Sequence, residues 1–205
     1  MFDLPAEQTA IRRRVTREGE GPDEVVAVTV SRTFEADVED VWDALTTRER
    51  LARWFSPVHG DLHVGGTYQI EGNAGGEVLV CERPSRVQVT FGAPDSIVDL
   101  HLAEGPDGTT VDLVHTMALP HVGSGAGALY VGPGWDGAVM GLGLHLRGVP
   151  IGDPLEMANS PAVVEFNAAS IDRWVAVVEA SGTADPQQVA DAREAAVQQF
   201  TVVPE

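Results

Sequence analysis

The chain has 205 residues, 43% of them hydrophobic, which is enough for one sizeable globular domain and argues against a disordered protein. Its net charge of -18 comes from 31 acidic residues against 13 arginines, with no lysine at all. A surface this negative repels phosphate backbones and anionic headgroups, which argues against general nucleic-acid binding and against attachment to anionic membranes.

Cysteine usage and hydropathy indicate the compartment. The single cysteine, Cys81, cannot form an internal disulfide, and the first residues lack the basic and apolar regions of a secretion signal. No apolar run approaches the roughly 20 residues that a membrane-spanning helix needs. We therefore expect a cytoplasmic protein without membrane insertion.

Residues 1–24 predict a leader with a helix over about 6–17, ended by the breaker run Gly19-Glu20-Gly21-Pro22. This segment also contains four arginines: Arg12, Arg13, Arg14 and Arg17. They could form a nucleic-acid-binding arm, but the acidic residues of the same segment and the charge of the whole chain favour a solvated or internally paired helix.

The next segments predict one strand and two helices. An alternating run from Val25 to Phe34 predicts a strand, with Arg32 on the same parity as its apolar residues. Asp37 is then placed as the N-cap of a helix from Val38 to Leu45. A second short helix is predicted over Arg48–Trp54, where the proline that follows ends it.

Six further strands are predicted between turns rich in Gly, Pro and Asn, over about 59–63, 67–71, 77–82, 86–91, 96–103 and 109–117. Their short, regular spacing is typical of an antiparallel meander. A turn over Gly105–Gly108 would place Val98 opposite His115 and carry His115 onto the inward, apolar face. Cys81 falls on the outward parity of its strand, and with no recognisable histidine partner it predicts no catalytic thiol.

The remainder of the chain predicts a loop and a long helix. Pro120–Gly134 is rich in glycine and small residues, and its length is typical of a functional lid. Trp135 then begins an apolar helix that runs to about residue 147. Glycine lowers helix stability, so Gly141 and Gly143 indicate close packing or a bend.

Two more helices are predicted after Pro150. The first begins at Ser160-Pro161 and runs to about Ala180, with Ile171, Trp174, Val175 and Val178 on its packed face. The second covers Pro186–Gln199. We expect them to form a helical extension packed on the preceding domain, and their exposed faces are candidates for a homodimer contact.

Five segments resemble the START-like helix-grip superfamily, also called SRPBCC. They read F-E-A-D-V-E-D-V-W-D-A-L-T, R-W-F-S-P, V-G-G-T-Y-Q-I-E-G-N-A-G-G, D-G-T-T-V-D-L-V-H and G-P-G-W-D. Within the superfamily they are similar to the branch named for homologues of the activator of the ninety-kilodalton heat-shock protein ATPase. The resemblance covers about residues 25–150, and the later helices resemble an extension of some bacterial members.

This resemblance implies an α+β helix-grip fold: a curved antiparallel sheet of about seven strands around a long C-terminal helix, with two short helices at one end. It also implies an apolar cavity between sheet and helix, with the loop Pro120–Gly134 at its entrance. The chain would then comprise a leader helix over 1–24, the helix-grip domain over 25–150 and a helical extension over 151–205. Relatives in the superfamily bind lipids, hormones or polyketides, and a minority are cyclases or aromatases.

Ten residues are candidate ligand contacts in the implied cavity: Arg32, Trp54, Phe55, Tyr68, Phe91, His115, Met117, Trp135, Val139 and Leu142. Sites of this kind are mostly apolar with a few polar groups. His115 would hydrogen-bond a ligand, and Arg32 would bind a carboxylate or phenolate. The alternative is that Arg32 pairs with an internal acid and His115 with a backbone carbonyl. Trp42 is interpreted as a core residue.

Three functions are compatible with these observations. The first is a non-catalytic carrier or sensor of a small hydrophobic or aromatic molecule. The second is a cyclase, aromatase or hydrolase with His115 as general acid or base. The third is a co-chaperone-like module that binds a heat-shock ATPase.

The sequence predicts no catalytic residue set, no metal site and no cofactor. His59 and His63 lie four residues apart on a predicted strand or loop without a third ligand nearby, which is a weak metal signal. The sequence lacks a P-loop, a nucleophile elbow and a dinucleotide fingerprint.

Overall fold

A computed structural model describes residues 3–202. Its strands are β1 (Arg12–Glu18), β2 (Val25–Phe34), β3 (Val58–Gly60), β4 (Thr67–Ile70), β5 (Gly75–Glu82), β6 (Arg86–Phe91), β7 (Ala93–Gly105) and β8 (Gly108–Ala118). Its helices are α1 (Leu4–Thr9), α2 (Val38–Thr46), α3 (Arg48–Trp54), α4 (Leu119–Val122), α5 (Ala128–Leu146), α6 (Pro154–Ala158), α7 (Pro161–Ser181) and α8 (Pro186–Thr201). Short 3-10 turns occur at Gly21–Asp23 and Gly125–Gly127.

The strands form one curved antiparallel sheet in the order β1-β2-β8-β7-β6-β5-β4-β3. The predicted α+β helix-grip fold is confirmed, with α5 as the long helix. The sheet has eight strands where about seven were predicted, because β1 adds an edge strand next to β2. Strand β2 and helix α3 have the predicted bounds.

The predicted leader helix is wrong beyond Thr9. Helix α1 ends at Thr9, and Arg12–Glu18 forms β1. Along this strand Arg13 and Val15 are covered while Arg12 and Arg14 are exposed, which is the two-residue period of a strand. Val15 is buried, and an internal carboxylate binds Arg13. The burial of Val15 and the ion pair of Arg13 favour a strand over a solvated helix.

The predicted loop over Pro120–Gly134 is also wrong. Helix α4 and a 3-10 turn occupy its first part, and α5 begins at Ala128 and continues through Pro133. The content of glycine and small residues is what predicts a loop here, since glycine disfavours a helix. Leu129 and Gly132 are buried, so packing stabilises a helix that local preference alone would not form.

The C-terminal helices have the predicted positions. Ser160 is the N-cap of α7 and accepts a hydrogen bond from the backbone of Val163. Asp185 and Gln188 form a capping box at the start of α8. On the packed face of α7, the predicted residues Ile171, Trp174 and Val178 are buried, whereas Val175 is only half-buried.

The first helix after β2 also differs in detail from its prediction. Asp37 does occupy the N-cap position of α2, but its side chain makes no capping hydrogen bond. Trp42 is buried, as its interpretation as a core residue requires. Within residues 3–202, none of the helices is both long and apolar enough to cross a bilayer.

The chain folds as two compact units, each built from segments distant in sequence. Among the described residues, the first contains 3–30, 116–139 and 158–202. The second contains residues 31–115 and 140–157. The predicted division into leader, helix-grip domain and extension stays a prediction.

Candidate functional site

In the second unit, one face of β5, β6 and β7 is apolar and only partly covered. Residues directly opposite one another in an antiparallel pair point to the same side of the sheet. Cys81, Val87 and Leu100 form such a row, and Val89 and Val98 form the next one. Val87 and Val98 are buried, whereas Cys81, Val89 and Leu100 keep partial exposure. We call these five residues the inner face.

The inward position of Cys81 corrects its predicted outward parity. A bulge between Val78 and Val80 adds one residue to β5. Every side chain beyond a bulge moves to the opposite face of the sheet. Val78 is buried before the bulge, and Cys81 takes the inward position after it.

His115 lies on β8, whose inward residues alternate strictly with partly exposed ones. The imidazole is 2% exposed, as the parity predicted. Its Nε2 lies 2.8 Å from the hydroxyl oxygen of Ser96 on the neighbouring strand β7. The Phe91 ring meets the imidazole edge-on, with the centroids 5.4 Å apart. Burial lowers the pKa of His115 to about 4, so the ring is neutral near pH 7.

We expect His115 to make the protein less stable as the pH falls from about 6.5 to about 4. Across that range the unfolded chain binds the proton more tightly than the folded protein, so the free energy of unfolding decreases. The loss reaches on the order of 3 kcal/mol, from 1.36 kcal/mol for each unit of pKa difference. The stability that the neutral His115 contributes is fully present above about pH 6.5, the pKa of histidine in the unfolded chain. Urea denaturation at a series of pH values measures it.

The control for this pH dependence is His115→Gln, which keeps a hydrogen-bonding group but takes up no proton. Burial raises the pKa of Asp136, which gives a slope of opposite sign, so the comparison is between variant and wild type at each pH. The difference between the two proteins should shrink toward low pH. Parallel curves would contradict the assignment to His115.

Arg32 lies on β2 and is 5% exposed. Its guanidinium packs against α5 at Gly143, where an added Cβ would lie 2.9 Å from one of its terminal nitrogens. Its Cζ is also 5.2 Å from the centroid of the Phe34 ring, within the range of a cation–π contact. Gly141 also allows a close approach, since a Cβ added there would lie 3.2 Å from the Trp54 carbonyl oxygen. Of the two explanations predicted for these glycines, close packing or a bend, the contacts show close packing.

We expect Gly143→Ala to lower the free energy of unfolding by about 1–2 kcal/mol, although alanine improves helix propensity by about 1 kcal/mol. The added methyl group would displace the buried guanidinium of Arg32 from its packing against the helix. A double-mutant cycle with Arg32→Met, followed by urea denaturation, measures the coupling. In the Arg32→Met background the alanine should be neutral or stabilising. An unchanged cost there would contradict this explanation of Gly143.

Three predicted aromatic residues of the second unit make specific contacts. Trp54 is buried, and its indole N–H donates to the Ala44 carbonyl oxygen at 3.0 Å. The Phe55 ring lies 5.4 Å from the Trp54 ring. The Tyr68 hydroxyl donates to the Thr90 carbonyl oxygen at 2.8 Å, and burial raises the pKa of Tyr68 to about 12. All three contacts stabilise the local structure.

The structure distributes the ten predicted residues over both units. Met117, Trp135 and Val139 belong to the first unit, where Met117 and Val139 are buried and Trp135 is half-buried. The other seven belong to the second unit, in which Leu142 is buried. Phe91 and His115 meet directly there.

Sequence reasoning missed Ser96, although a signal was present. The predicted register places Val98 opposite His115, and the diagonal neighbour of such a pair lies two residues away on the same face. Ser96 is that neighbour, and it forms the hydrogen bond.

Sequence reasoning also missed a buried ion pair in the first unit. Arg13 Nε lies 2.7 Å from Asp136 Oδ2, with the two side chains 4% and 0% exposed. Ser170 Oγ and Trp174 Nε1 donate to the same carboxylate oxygen. Burial raises the pKa of Asp136, and the Arg13 charge opposes that rise. These residues lie far apart in sequence, so no local pattern predicts the pair.

Comparison with known proteins identifies the family. The family model described as activator of Hsp90 ATPase homolog 1-like protein matches residues 35–143. No curated protein matches the chain.

Solved structures extend the similarity beyond the matched residues. The crystal structure of CalU16 from Micromonospora echinospora is 33% identical, with a TM-score of 0.68, and the match covers 82% of this chain and 98% of that one. Its solution NMR structure gives 31% identity and a TM-score of 0.69, covering 84% and 97%. DynU16, a protein in the dynemicin biosynthetic locus, is 25% identical with a TM-score of 0.54, covering 60% and 48%.

Both kinds of match agree on one assignment. The family model spans more than half of the chain, and CalU16 is one-third identical over nearly its whole length. The chain therefore belongs to the family of activator of Hsp90 ATPase homolog 1-like proteins.

Proposed function

We propose that the protein binds a small hydrophobic, aromatic molecule at the inner face and acts as a non-catalytic carrier or sensor. The observation that supports this most strongly is the partial exposure of Cys81, Val89 and Leu100 on a face whose other members are buried. Apolar side chains that a fold directs inward yet leaves accessible are typical of sites for apolar ligands.

The surroundings of His115 support binding over catalysis. A general base works best when its pKa lies near the working pH. The pKa of His115 is about 4, which makes the imidazole a weak base near pH 7. Such a group is suited to orienting a ligand by hydrogen bonding.

The relatives support a class of ligand. DynU16 lies in the dynemicin biosynthetic locus, and its similarity to this chain covers 60% of this chain. We infer a ligand from the class of small molecules that biosynthetic loci produce.

The test is a titration with N-phenylnaphthylamine, a neutral aromatic probe whose fluorescence increases in apolar surroundings. We expect saturable binding that Leu100→Gln weakens about tenfold, equivalent to about 1.4 kcal/mol. Ile97→Gln is the matched control, because Ile97 lies on the same strand with similar partial exposure but points to the opposite face. It should leave the affinity unchanged. The absence of saturable binding, or an equal loss in both variants, would overturn the proposal.

A further inference from the structure

We propose that the Ser96–His115 pair selects ligands that present a neutral hydrogen-bonding group, such as a phenol hydroxyl or a ketone oxygen, over ligands that present a carboxylate or an ammonium group. This inference rests on the proposed function and specifies the chemistry of its ligand. It concerns the polar end of the ligand, whereas the inner face would bind the apolar part.

The geometry of the pair is preorganised. The two atoms that hydrogen-bond lie 2.8 Å apart on neighbouring strands, and Phe91 packs against the imidazole at an interplanar angle of 69°. His115 is buried, whereas Ser96 is only half-buried. Ser96 is therefore the member of the pair that keeps accessible surface for a ligand.

The Ser96 hydroxyl can form a hydrogen bond with the ligand in either tautomer of the His115 imidazole. A hydroxyl has one hydrogen to donate and two lone pairs that accept. If Nε2 carries the hydrogen, it donates to Ser96 Oγ, and the hydroxyl hydrogen can be donated to a ketone. In the other tautomer the hydroxyl donates to Nε2, and its lone pairs accept from a phenol. Both arrangements offer the ligand one hydrogen bond without charge.

A charged ligand group would lose its hydration against this pair without gaining an opposite charge from it, and burial of an unpaired charge is costly. Arg32, a buried cation of the same unit, packs against Gly143 and Phe34. Whether Arg32 binds an anionic group of a ligand is tested separately, with an anionic probe and an Arg32→Met variant.

The experiment uses five probes with the same ring system: naphthol, methyl naphthyl ketone, methylnaphthalene, naphthoate and naphthylmethylammonium. Their affinities are measured by isothermal titration calorimetry on the full chain. We expect naphthol and the ketone to bind at least about tenfold more tightly than the two charged probes. Ser96→Ala should weaken naphthol binding about fivefold, the effect of one net hydrogen bond, and leave methylnaphthalene unchanged.

The matched control is Thr33→Val. Thr33 also forms a hydroxyl hydrogen bond between neighbouring strands, with Thr110 at 2.8 Å, but it alternates with the buried Arg32 and Phe34 and so points to the other face. This variant should leave every affinity unchanged.

Four results would overturn the inference. Methylnaphthalene binding as tightly as naphthol, or a Ser96→Ala variant with unchanged affinities, would refute the selectivity while the proposed function stands. Tighter binding of naphthoate that Arg32→Met abolishes would show an anion site in its place. If none of the five probes binds, the proposed function fails together with the inference.

Discussion

Replacing Arg13 by methionine is expected to lower the free energy of unfolding by about 3–5 kcal/mol, because it leaves the buried carboxylate of Asp136 without its cation. The two side chains are almost inaccessible, and Arg13 Nε lies 2.7 Å from Asp136 Oδ2. Ser170 and Trp174 would still donate hydrogen bonds to this oxygen, but they carry no charge to offset the cost of burying the carboxylate. Equilibrium denaturation by urea at neutral pH measures the loss.

Two further variants separate this effect from lost packing. Arg14→Met changes the neighbouring arginine of β1, which is exposed, and should alter stability by no more than about 0.5 kcal/mol. The double variant Arg13→Met, Asp136→Asn removes both charges and should recover more than half of the loss. If the double variant is as unstable as Arg13→Met alone, the charge of Asp136 is not the cause.

Gly132→Ala is expected to lower the free energy of unfolding by about 2–3 kcal/mol through overpacking. A Cβ at this position would lie 2.4 Å from Cε2 of Trp174 and 2.7 Å from its Nε1. Trp174 is fully buried, and its indole N–H donates to Asp136, so the ring can move away only by giving up that hydrogen bond. Thermal unfolding, with tryptophan fluorescence as a second signal, measures the change.

Gly137→Ala is the matched control on the same helix. Its Cβ would meet Asn167 Oδ1 at 3.9 Å, which is ordinary van der Waals contact. Alanine should therefore stabilise α5 at this position by up to about 1 kcal/mol through its better helix propensity. If Gly132→Ala were equally stabilising, the close approach of Trp174 would not be the reason for a glycine at 132.

Local patterns predicted a large part of the fold. Strand β2 has the bounds predicted from its alternating residues, and α3 has those predicted from its helical run. The same two-residue period placed His115 and Arg32 among the buried residues. Each of these predictions depends on which side of a regular element a residue points to, and a short stretch of sequence contains that information.

The predictions failed where distant contacts stabilise a structure that local preference does not favour. Arg12–Glu18 is a strand because Val15 is buried and Arg13 binds Asp136. Helix α5 continues through Pro133 because the residues around it are packed. The bulge in β5 reversed the direction of Cys81, and nothing in the neighbouring residues indicated it.

The sequence by itself therefore determined the order of most elements, the inward parity of β2 and β8, and the family. Tertiary structure alone determined which polar groups meet: Arg13 with Asp136, and Ser96 with His115. The physical reason is that periodicity follows from backbone geometry within a few residues. The pairing of buried charges and hydroxyls depends on how distant segments pack, through bulges and close contacts at glycine that leave no periodic pattern in the sequence.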